Sequence, residues 1–301
     1  MKDFDKVIKR VTGGKGGESF LILGSEKTAV IDTGAAYCAS VLIDNIEKEL
    51  NGRTLDYIFI THSHFDHVGA VANLKAHWPN AKVAGGTHAA DILARPNARK
   101  LIRKLSEGAQ QLFDPEGKFP PVEYDNDLLV CDISLKEGDT VSLGDITVRV
   151  LDATGHTRCS VAFYLEELDV NFMSESVGVL LKSGDHFPSY VTSYSNAIDT
   201  IEKFRKLNAR YFVVPHSTEI MDIKEMPGFY DTAVRVAREQ KDKILRLHDE
   251  GMDNDAITNA IVKEMSPILL KNNQTEEAFT LNMTNTVKTV IRDFRPEEAK
   301  A

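Results

Sequence analysis

Short apolar runs, several rich in β-branched and aromatic side chains, divide the first two thirds of the chain. Runs of this kind, bounded by glycine, serine, asparagine or aspartate, predict buried β-strands. The predicted strands cover residues 5–12, 18–23, 27–32, 57–60, 82–84, 130–135, 140–143, 146–151, 160–164, 170–173 and 211–214. We expect the strands between residues 130 and 151 to start a second sheet. Helices are predicted at residues 37–50, after residue 70 and from residue 88 onward.

The pattern changes near residue 222. Residues 228–249, 253–265 and 275–293 carry apolar positions at helical spacing, and Gly251 and Pro267 separate these stretches. Apolar residues three or four positions apart form one face of an amphipathic helix, which must be buried. We therefore predict two parts, a mixed α and β part over residues 1–222 and a helical extension over residues 223–301 that packs on it.

Composition places the chain among ordinary globular proteins. It has 301 residues, of which 42% are hydrophobic and 27% are charged. The net charge of −9 argues against a nucleic-acid surface, which would need a basic field. The three cysteines form no CxxC pair, and no run approaches the 18 apolar residues of a membrane span. We expect a cytoplasmic protein with no membrane or nucleic-acid partner.

Four potential metal ligands lie within six positions directly after the strand at residues 57–60. They are His62, His64, Asp66 and His67. Alternate side chains of an extended segment share one face, so His62 and His64 can point the same way. The following turn brings Asp66 and His67 toward a second point nearby. Imidazole and carboxylate ligands without a thiolate suit zinc, iron or manganese.

This stretch resembles the HxHxDH signature of the metallo-β-lactamase superfamily, and the match is complete. The resemblance implies an α+β fold, a four-layer αβ/βα sandwich with its metals at one edge between the two sheets. Residues 1–222 would then be the catalytic domain, with the helical extension near the active-site cleft. Asp32-Thr33-Gly34 is similar to the superfamily's IDTG element, which implies that Asp32 orients a histidine or a backbone turn.

Two further elements resemble ligand motifs of the superfamily. Thr154-Gly155-His156-Thr157 implies that His156 joins His62 and His64 on a first metal. Pro215-His216-Ser217 resembles the final Gly-His element, so His216 would bind a second metal with Asp66 and His67. Arg158, beside His156, would place a cation near the pocket.

The ligand that bridges the two metals is ambiguous. The superfamily places an aspartate there, but this chain has Ser174-Glu175-Ser176 at the expected distance from His156. A second candidate, Ser183-Gly184-Asp185-His186, comes ten residues late. We favour Glu175 because the strand at residues 170–173 should deliver it, and we expect Ser174, Asp185 and His186 to lie around the pocket.

The resemblance implies a metal-dependent hydrolase with two divalent metal ions, zinc first, with iron or manganese as alternatives. A metal-bound hydroxide would attack a small ester-like carbonyl substrate, an acyl thioester ahead of a lactone. Asp66 would bind the second metal and orient the water or take its proton. Acyl-thioester hydrolases of the superfamily and the quinolone signal response protein have a comparable helical C-terminal part.

A run of basic residues is a further, weaker argument for a thioester substrate. Five cations, Arg95, Arg99, Lys100, Arg103 and Lys104, lie within ten positions on a predicted helix. They could hold the phosphates of coenzyme A, or they could be a solvated helix face.

Two other functions stay open. If Glu175 failed to complete a second metal site, the protein could be an oxidoreductase with a single iron, like a persulfide dioxygenase. The exchange of aspartate for glutamate could also leave a weakened metal-binding regulatory protein. The expected partner is a small-molecule substrate, and a homodimer is left open.

Overall fold

The computed structural model describes residues 4–297 and contains two six-stranded sheets that pack face to face. The strands of the first sheet are β1 (Ile8–Arg10), β2 (Phe20–Leu23), β3 (Thr28–Ile31), β4 (Tyr57–Ile60), β5 (Lys82–Gly86) and β6 (Ile133–Leu135). They are ordered β1-β2-β3-β4-β5-β6. The first two pairings are antiparallel and the pairings from β3 to β6 are parallel. The parallel strands therefore end at the same edge of the sheet.

The second sheet is mostly antiparallel. The remaining strands are β7 (Thr140–Ser142), β8 (Thr147–Asp152), β9 (Val161–Leu165), β10 (Val170–Phe172), β11 (Val179–Leu180), β12 (His186–Phe187), β13 (Tyr211–Val213) and β14 (Met221–Asp222). The order in the sheet is β14-β13-β10-β9-β8-β7, and β11 and β12 form a separate hairpin. Only β10 and β13 pair in parallel within this sheet, so β10 and β13 also end at one edge.

Helices cover the outer faces of both sheets. They are α1 (Phe4–Val7), α2 (Ala39–Leu50), α3 (Phe65–Val68), α4 (Val71–His77), α5 (Thr87–Leu93), α6 (Pro96–Phe113), α7 (Tyr194–Leu207), α8 (Phe229–Asp249), α9 (Asn254–Leu269) and α10 (Glu276–Phe294). One apolar core joins the first sheet to α2, α4 and α6, and another joins the second sheet to α7 and α8. A third lies between the sheets, where the rings of Phe59 and Phe163 stack with centroids 5.0 Å apart. The expected four-layer sandwich with C-terminal helices is confirmed.

The C-terminal helices form a fourth core together with α7 and the segment before it. Two threonine hydroxyls of α10 attach it to that segment, since Thr286 Oγ1 donates to Tyr190 O at 3.1 Å and Thr289 Oγ1 donates to Val191 O at 2.9 Å. The three predicted helices are confirmed as α8, α9 and α10, although α9 continues through Pro267. The division into domains at residue 222 stays a prediction, and residues 1–3 and 298–301 of its two parts lie outside the described residues. No helix within the described part of the chain could cross a membrane.

Several details differ from the sequence prediction. Residues 5–7 were expected in a strand, but they belong to α1, and β1 begins at Ile8. The strand expected in the second sheet at residues 130–135 is β6, which pairs with β5 in the first sheet through Ala84 and Ile133. The helix expected from residue 88 is two helices, because Pro96 starts α6 and disfavours helical geometry in the residue before it. Helix α7 was not predicted, although Ser193 caps its first turn by accepting a hydrogen bond from Asn196 N.

Candidate metal centre

The potential metal ligands follow strands of both sheets and meet where the sheets face each other. The segment from His62 to His67 follows β4, and Asp32 follows β3. In the second sheet, His156 comes after β8, Glu175 after β10 and His216 after β13. The parallel pairs β3–β4 and β10–β13 bring their carboxyl ends together, which places polar side chains from distant parts of the chain side by side.

Among the described residues, three groups of side chains could each hold a metal ion, and the group of His62, His67 and Glu175 links the other two. His62, His64 and His156 make up the first group, and Asp66, His67 and His216 make up the second. In each group the potential ligand atoms lie within 4.8 Å of one another. The sequence predicted the same two sets.

Glu175 lies between the two groups. Its Oε1 is 3.1 Å from Nε2 of His67 and 3.1 Å from Nε2 of His216, while its Oε2 is 3.4 Å from Nε2 of His156. The carboxylate therefore contacts both groups, with Oε1 near the second group and 3.6 Å from Nε2 of His62, and with Oε2 near His156. Asp185, the other candidate for the bridge, is exposed in the turn between β11 and β12 and binds Ser183 instead.

Hydrogen bonds fix the orientation of the two histidines nearest Asp32. The Nδ1–H of His67 donates to Asp32 Oδ2 at 2.7 Å, since a carboxylate can only accept. Thr61 donates its backbone N–H and its hydroxyl to the same carboxylate, each at 2.7 Å. The hydroxyl is thereby left to accept from Nδ1–H of His62 at 3.2 Å. Both histidines then turn Nε2 toward the site, where Nε2 of His67 donates to Glu175 Oε1 at 3.1 Å in the absence of metal.

The other two strand-end histidines are fixed in the same way. Ser189 Oγ donates to Glu175 Oε2 at 3.2 Å, so it accepts from Nδ1–H of His156 at 2.9 Å. The Nδ1–H of His216 donates to the carbonyl oxygen of Gly16 at 3.3 Å. Such outer partners orient histidine ligands and select their tautomer. The sequence analysis missed Ser189, and no motif around it could have revealed it.

Backbone strain is also concentrated at this site. Asp32 and His216 have φ values of 55° and 64°, in the left-handed backbone region that residues other than glycine rarely adopt. Each residue ends a strand and turns its side chain into the site. Strained residues of this kind persist only where the surrounding structure holds them, and they cluster at functional sites.

The chemistry of the cluster fits divalent metal ions. Nε2 of His62 is fully buried, has no hydrogen-bond partner among the described residues, and lies 3.6 Å from Glu175 Oε1. Nδ1 of His64 and Nε2 of His156 are 3.0 Å apart. A buried nitrogen without a hydrogen-bond partner, such as Nε2 of His62, is disfavoured in an interior unless a cation lies beside it. Nitrogen and carboxylate donors in this number suit zinc, iron or manganese.

The histidine pKa values separate into two sets in the metal-free protein. Burial lowers the pKa of His62 and of His156, and it lowers the pKa of His64 to about 4. Burial also acts on His67 and His216, but the carboxylates around them outweigh it and raise the pKa of both. Burial opposes the charge of Glu175, yet the adjacent histidines hold its pKa well below the ordinary range. Glu175 is therefore an anion at neutral pH.

The remaining predicted pocket residues lie at different depths. Ser174 is buried and donates to Ala153 O at 2.8 Å, which supports the turn that carries Glu175. Arg158 is exposed and lines a surface groove beside His64 and His156. His186 is half-buried, donates from Nε2–H to Val177 O at 2.7 Å, and stacks on Phe229. His186 lies outside all three metal-binding groups of the described residues.

An apolar cavity adjoins the second group of ligands. Glu175, Ser189 and His216 line it at the metal centre. Its apolar walls come from the β11–β12 hairpin, α9 and α10, and they are formed by Val179, Leu181, Phe187, Met265, Ile268, Leu269, Phe279 and Met283. The C-terminal helices therefore contribute directly to the surface that a substrate would meet.

The basic helix α6 does not direct three of its cations toward this site. Arg99 pairs with Asp127 at 3.0 Å, Arg103 donates to Tyr124 O, and Lys104 pairs with Glu277 at 2.6 Å. Apolar residues of α6, Ala98, Leu101, Ile102 and Leu105, face the recess beside His64 and Asp66. Arg95 and Lys100 are exposed.

Comparison with known proteins agrees with this geometry. Residues 12–216 match the Metallo-beta-lactamase superfamily, so the chain belongs to that superfamily. It is a metal-dependent hydrolase of that superfamily, whose members bind divalent metal ions.

The curated relatives include two kinds of hydrolase. The chain is 26% identical over 223 residues to Acyl-coenzyme A thioesterase MBLAC2 from Homo sapiens, which covers 71% of this chain and 72% of that protein. It is 33% identical over 113 residues to a Hydroxyacylglutathione hydrolase from Gloeothece citriformis, which covers 38% of this chain and 30% of that protein.

Among solved structures, the metallo-beta-lactamase family protein TTHA1429 from Thermus thermophilus is similar over 92% of this chain and 88% of its own length. The TM-score is 0.60 at 19% sequence identity, so this likeness concerns the fold alone.

Proposed function

We propose that this protein hydrolyses acyl thioesters whose acyl chain occupies the apolar cavity. The observation that carries this proposal is the continuity between the cavity and the metal centre, since Glu175 and His216 line both. The cavity walls are aliphatic and aromatic over the width of two helices and a hairpin, which suits an acyl chain better than the polar ring of a lactone. Burial of each CH₂ group of an acyl chain there would contribute about 0.8 kcal/mol to binding.

We assign His62, His64 and His156 to one divalent metal ion and Asp66, His67 and His216 to a second. Glu175 would bridge them, because its carboxylate lies close to histidines of both groups. Zinc is the first expectation, with iron or manganese as alternatives. Two such ions supply a water molecule of lowered pKa and a positive charge that stabilises the developing oxyanion.

The reaction needs one proton acceptor beside the water. Hydrolysis joins the water oxygen to the carbonyl carbon and breaks the C–S bond, and the products are a carboxylate, a thiol and one proton. Asp66 Oδ2 lies 3.8 Å from His216 Nε2 and 4.0 Å from His67 Nε2, so its carboxylate borders the second group. We assign Asp66 the role of orienting the water, accepting a proton from it and returning a proton to the departing sulfur.

The relatives support this class of substrate. One is named as a thioesterase for acyl-coenzyme A, and another as a hydrolase of hydroxyacylglutathione. The helical part of this chain supports it as well, because α9 and α10 wall the cavity in which we place the acyl chain.

A substrate panel tests the proposal. Metal-loaded protein is assayed with acyl-coenzyme A thioesters from two to sixteen carbons and with lactones of matched carbon number. We expect kcat/KM to rise with chain length until the cavity is filled, and we expect lactones to react more slowly. Turnover of lactones with no response to any thioester would overturn it.

Metal analysis separates this proposal from the two alternatives left open by the sequence. An iron-dependent oxidoreductase would carry one iron per chain and consume oxygen, and a regulatory protein would bind metal without turnover. The proposed hydrolase should bind two metal ions per chain and lose activity on removal of either.

A further inference from the structure

A second recess, which we call the cationic groove, extends over the surface from the first group of metal ligands. His64 and His156 lie at its base, and Arg158, Asn285, Lys288 and Arg292 line its walls. It meets the apolar cavity at Val191, which lines both. The two recesses therefore open from one metal centre, the cavity beside the second ligand group and the groove beside the first.

The lining of the cationic groove is basic, although the chain as a whole is acidic. The sequence has 45 acidic and 36 basic residues, yet none of the described residues lining the groove is acidic. Arg158 and Lys288 are both exposed, and neither forms an ion pair with another described residue. Arg292 pairs with Asp293 at 2.7 Å and donates to Thr192 O at 3.3 Å. Two cations are thus free to meet an anion.

Helix α10 extends this arrangement outward from the metal centre. Asn285, Lys288 and Arg292 are three and four residues apart, so they lie on one face of the helix. Seven residues of α-helix advance about 10 Å. A ligand bound along this face would contact the amide of Asn285 first, and then the cationic side chains of Lys288 and Arg292 farther from the metal centre. Flexible lysine and forked arginine side chains together suit phosphate groups.

We propose that the cationic groove binds the phosphate groups of a phosphorylated thiol, the leaving group of the thioester, of the chemical class of coenzyme A. This proposal rests on the proposed function and adds the thiol side to it. The acyl chain would lie in the apolar cavity, the carbonyl carbon at the metals, and the thiol carrier along the groove. Of the two interpretations of the basic run at residues 95–104, a phosphate site or a solvated helix face, this proposal needs only the second, because Arg99, Arg103 and Lys104 are already paired. The phosphates are placed instead beside α10 and Arg158.

The test compares an acyl-coenzyme A with the S-acyl-pantetheine of the same acyl group, which lacks the phosphates and the adenosine of coenzyme A. Variants of the groove cations then separate the contribution of the phosphates from that of the nucleoside. In the wild-type protein we expect a KM about tenfold or more lower for the coenzyme A thioester. The double variant Arg158→Ala/Lys288→Ala should raise that KM about tenfold and leave the pantetheine KM and both kcat values unchanged. Lys263→Ala, an exposed lysine of α9 outside the groove, is the matched control and should change neither.

A binding measurement keeps this inference separate from the proposed function. Free coenzyme A is titrated calorimetrically into the metal-loaded wild type and into Lys288→Glu, which should bind at least about tenfold more weakly. Coenzyme A could bind to the wild type and not to Lys288→Glu although no thioester reacts. That result would support phosphate binding in the cationic groove and contradict the proposed function. Two results would contradict phosphate binding in the cationic groove. One is an equal KM for both substrates in a protein that turns both over, and the other is an unchanged affinity for coenzyme A in Lys288→Glu.

Discussion

At the scale of single residues, four histidines of the metal centre present the same nitrogen. His62, His67, His156 and His216 each have Nδ1 engaged outward, with Thr61, Asp32, Ser189 and Gly16 respectively. Their Nε2 atoms are left to converge. These neighbours orient the rings before any metal binds, which reduces the reorganisation that binding requires.

Asp32→Asn tests this orientation. Asparagine tolerates the left-handed backbone of residue 32, whose φ is 55°, so the change removes the charge and keeps the shape. We expect the affinity for the metal held by His67 to fall about 10–100-fold, as measured by competition with a chelator. Asp169→Asn is the matched control, because Asp169 has φ 53° and lies outside all three metal-binding groups of the described residues. Equal affinity in Asp32→Asn and wild type would contradict the expectation.

Glu175 permits a second test with two substitutions. Glu175→Gln keeps the length and removes the charge that faces both groups, so we expect loss of one metal equivalent and a fall in kcat of more than about 100-fold. Glu175→Asp keeps the charge but shortens the reach, so it should retain more metal than glutamine does. Metal content by elemental analysis and kcat on the same preparations decide this. Two tightly bound metals in Glu175→Gln would show that the carboxylate does not bridge.

Sequence patterns located the potential metal ligands of this site but not Ser189, which orients one of them. The cluster from His62 to His67 is local, so its chemistry is visible in the order of residues. Glu175 could be placed because β10 precedes it directly. Ser189 could not, because its position beside His156 depends on how the β11–β12 hairpin returns to the site. Serine alone carries no signal of that path.

At the scale of elements, the glycine-rich segment before β2 supports the metal centre through close packing. A Cβ atom at Gly17 would lie 1.7 Å from the carbonyl oxygen of Asp66, which is too close for any side chain. The neighbouring Gly16 carbonyl accepts the hydrogen bond from His216. This loop therefore sets the position of ligands from both sheets.

Gly17→Ala should displace the backbone of Asp66. We expect a Tm lowered by several degrees and weaker binding of the second metal, measured by calorimetry and chelator competition. Gly108→Ala on α6 is the control, because a Cβ there meets only Glu277 Oε2 at 3.6 Å. Alanine in a helix interior should raise stability by about 0.4–1 kcal/mol. A Gly17→Ala protein as stable and as metal-rich as Gly108→Ala would contradict the role of the loop.

The elements that the sequence prediction misplaced or missed have different causes, a non-local pairing for β6 and a local pattern for α7. The sequence revealed a strand near residues 130–135, but sheet membership of β6 is decided by pairing with β5 some fifty residues earlier. Helix α7 carries Ala197, Ile201 and Phe204 at helical spacing, so its pattern was present and was overlooked. The long amphipathic helices α8 and α10 were placed within one or two residues, since their apolar period repeats over many turns.

At the scale of the whole molecule, the substrate surface arises where parts distant in sequence meet. The apolar cavity combines the β11–β12 hairpin with α9 and α10, and the cationic groove combines Arg158 with α10. The apolar residues of α10 that line the cavity look in sequence like ordinary core positions. Only the packing of the helices distinguishes residues such as Met283, which face a cavity, from those that fill the interior.

The stability of the metal-free protein should have a maximum near pH 6.5. His62, His64 and His156 have lowered pKa values, so below 6.5 the unfolded chain binds more protons and stability falls toward pH 4. His67 and His216 have raised pKa values, so their contribution is complete below 6.5 and is lost as pH rises above it. Metal binding displaces these protons, so the metal-loaded protein should instead gain stability from pH 6.5 to pH 8.5.

Calorimetric Tm values of the chelator-treated and metal-loaded proteins between pH 4.5 and 8.5 provide the comparison. Asp32→Asn removes the carboxylate that holds the proton on His67, so the metal-free variant should lose less stability above pH 6.5 than the wild type. A metal-free protein that is more stable at pH 8.5 than at pH 6.5 would show that His67 and His216 are neutral in the folded state. The carboxylates of Asp32, Asp66 and Glu175 would then be stabilised by contacts other than these two imidazoles.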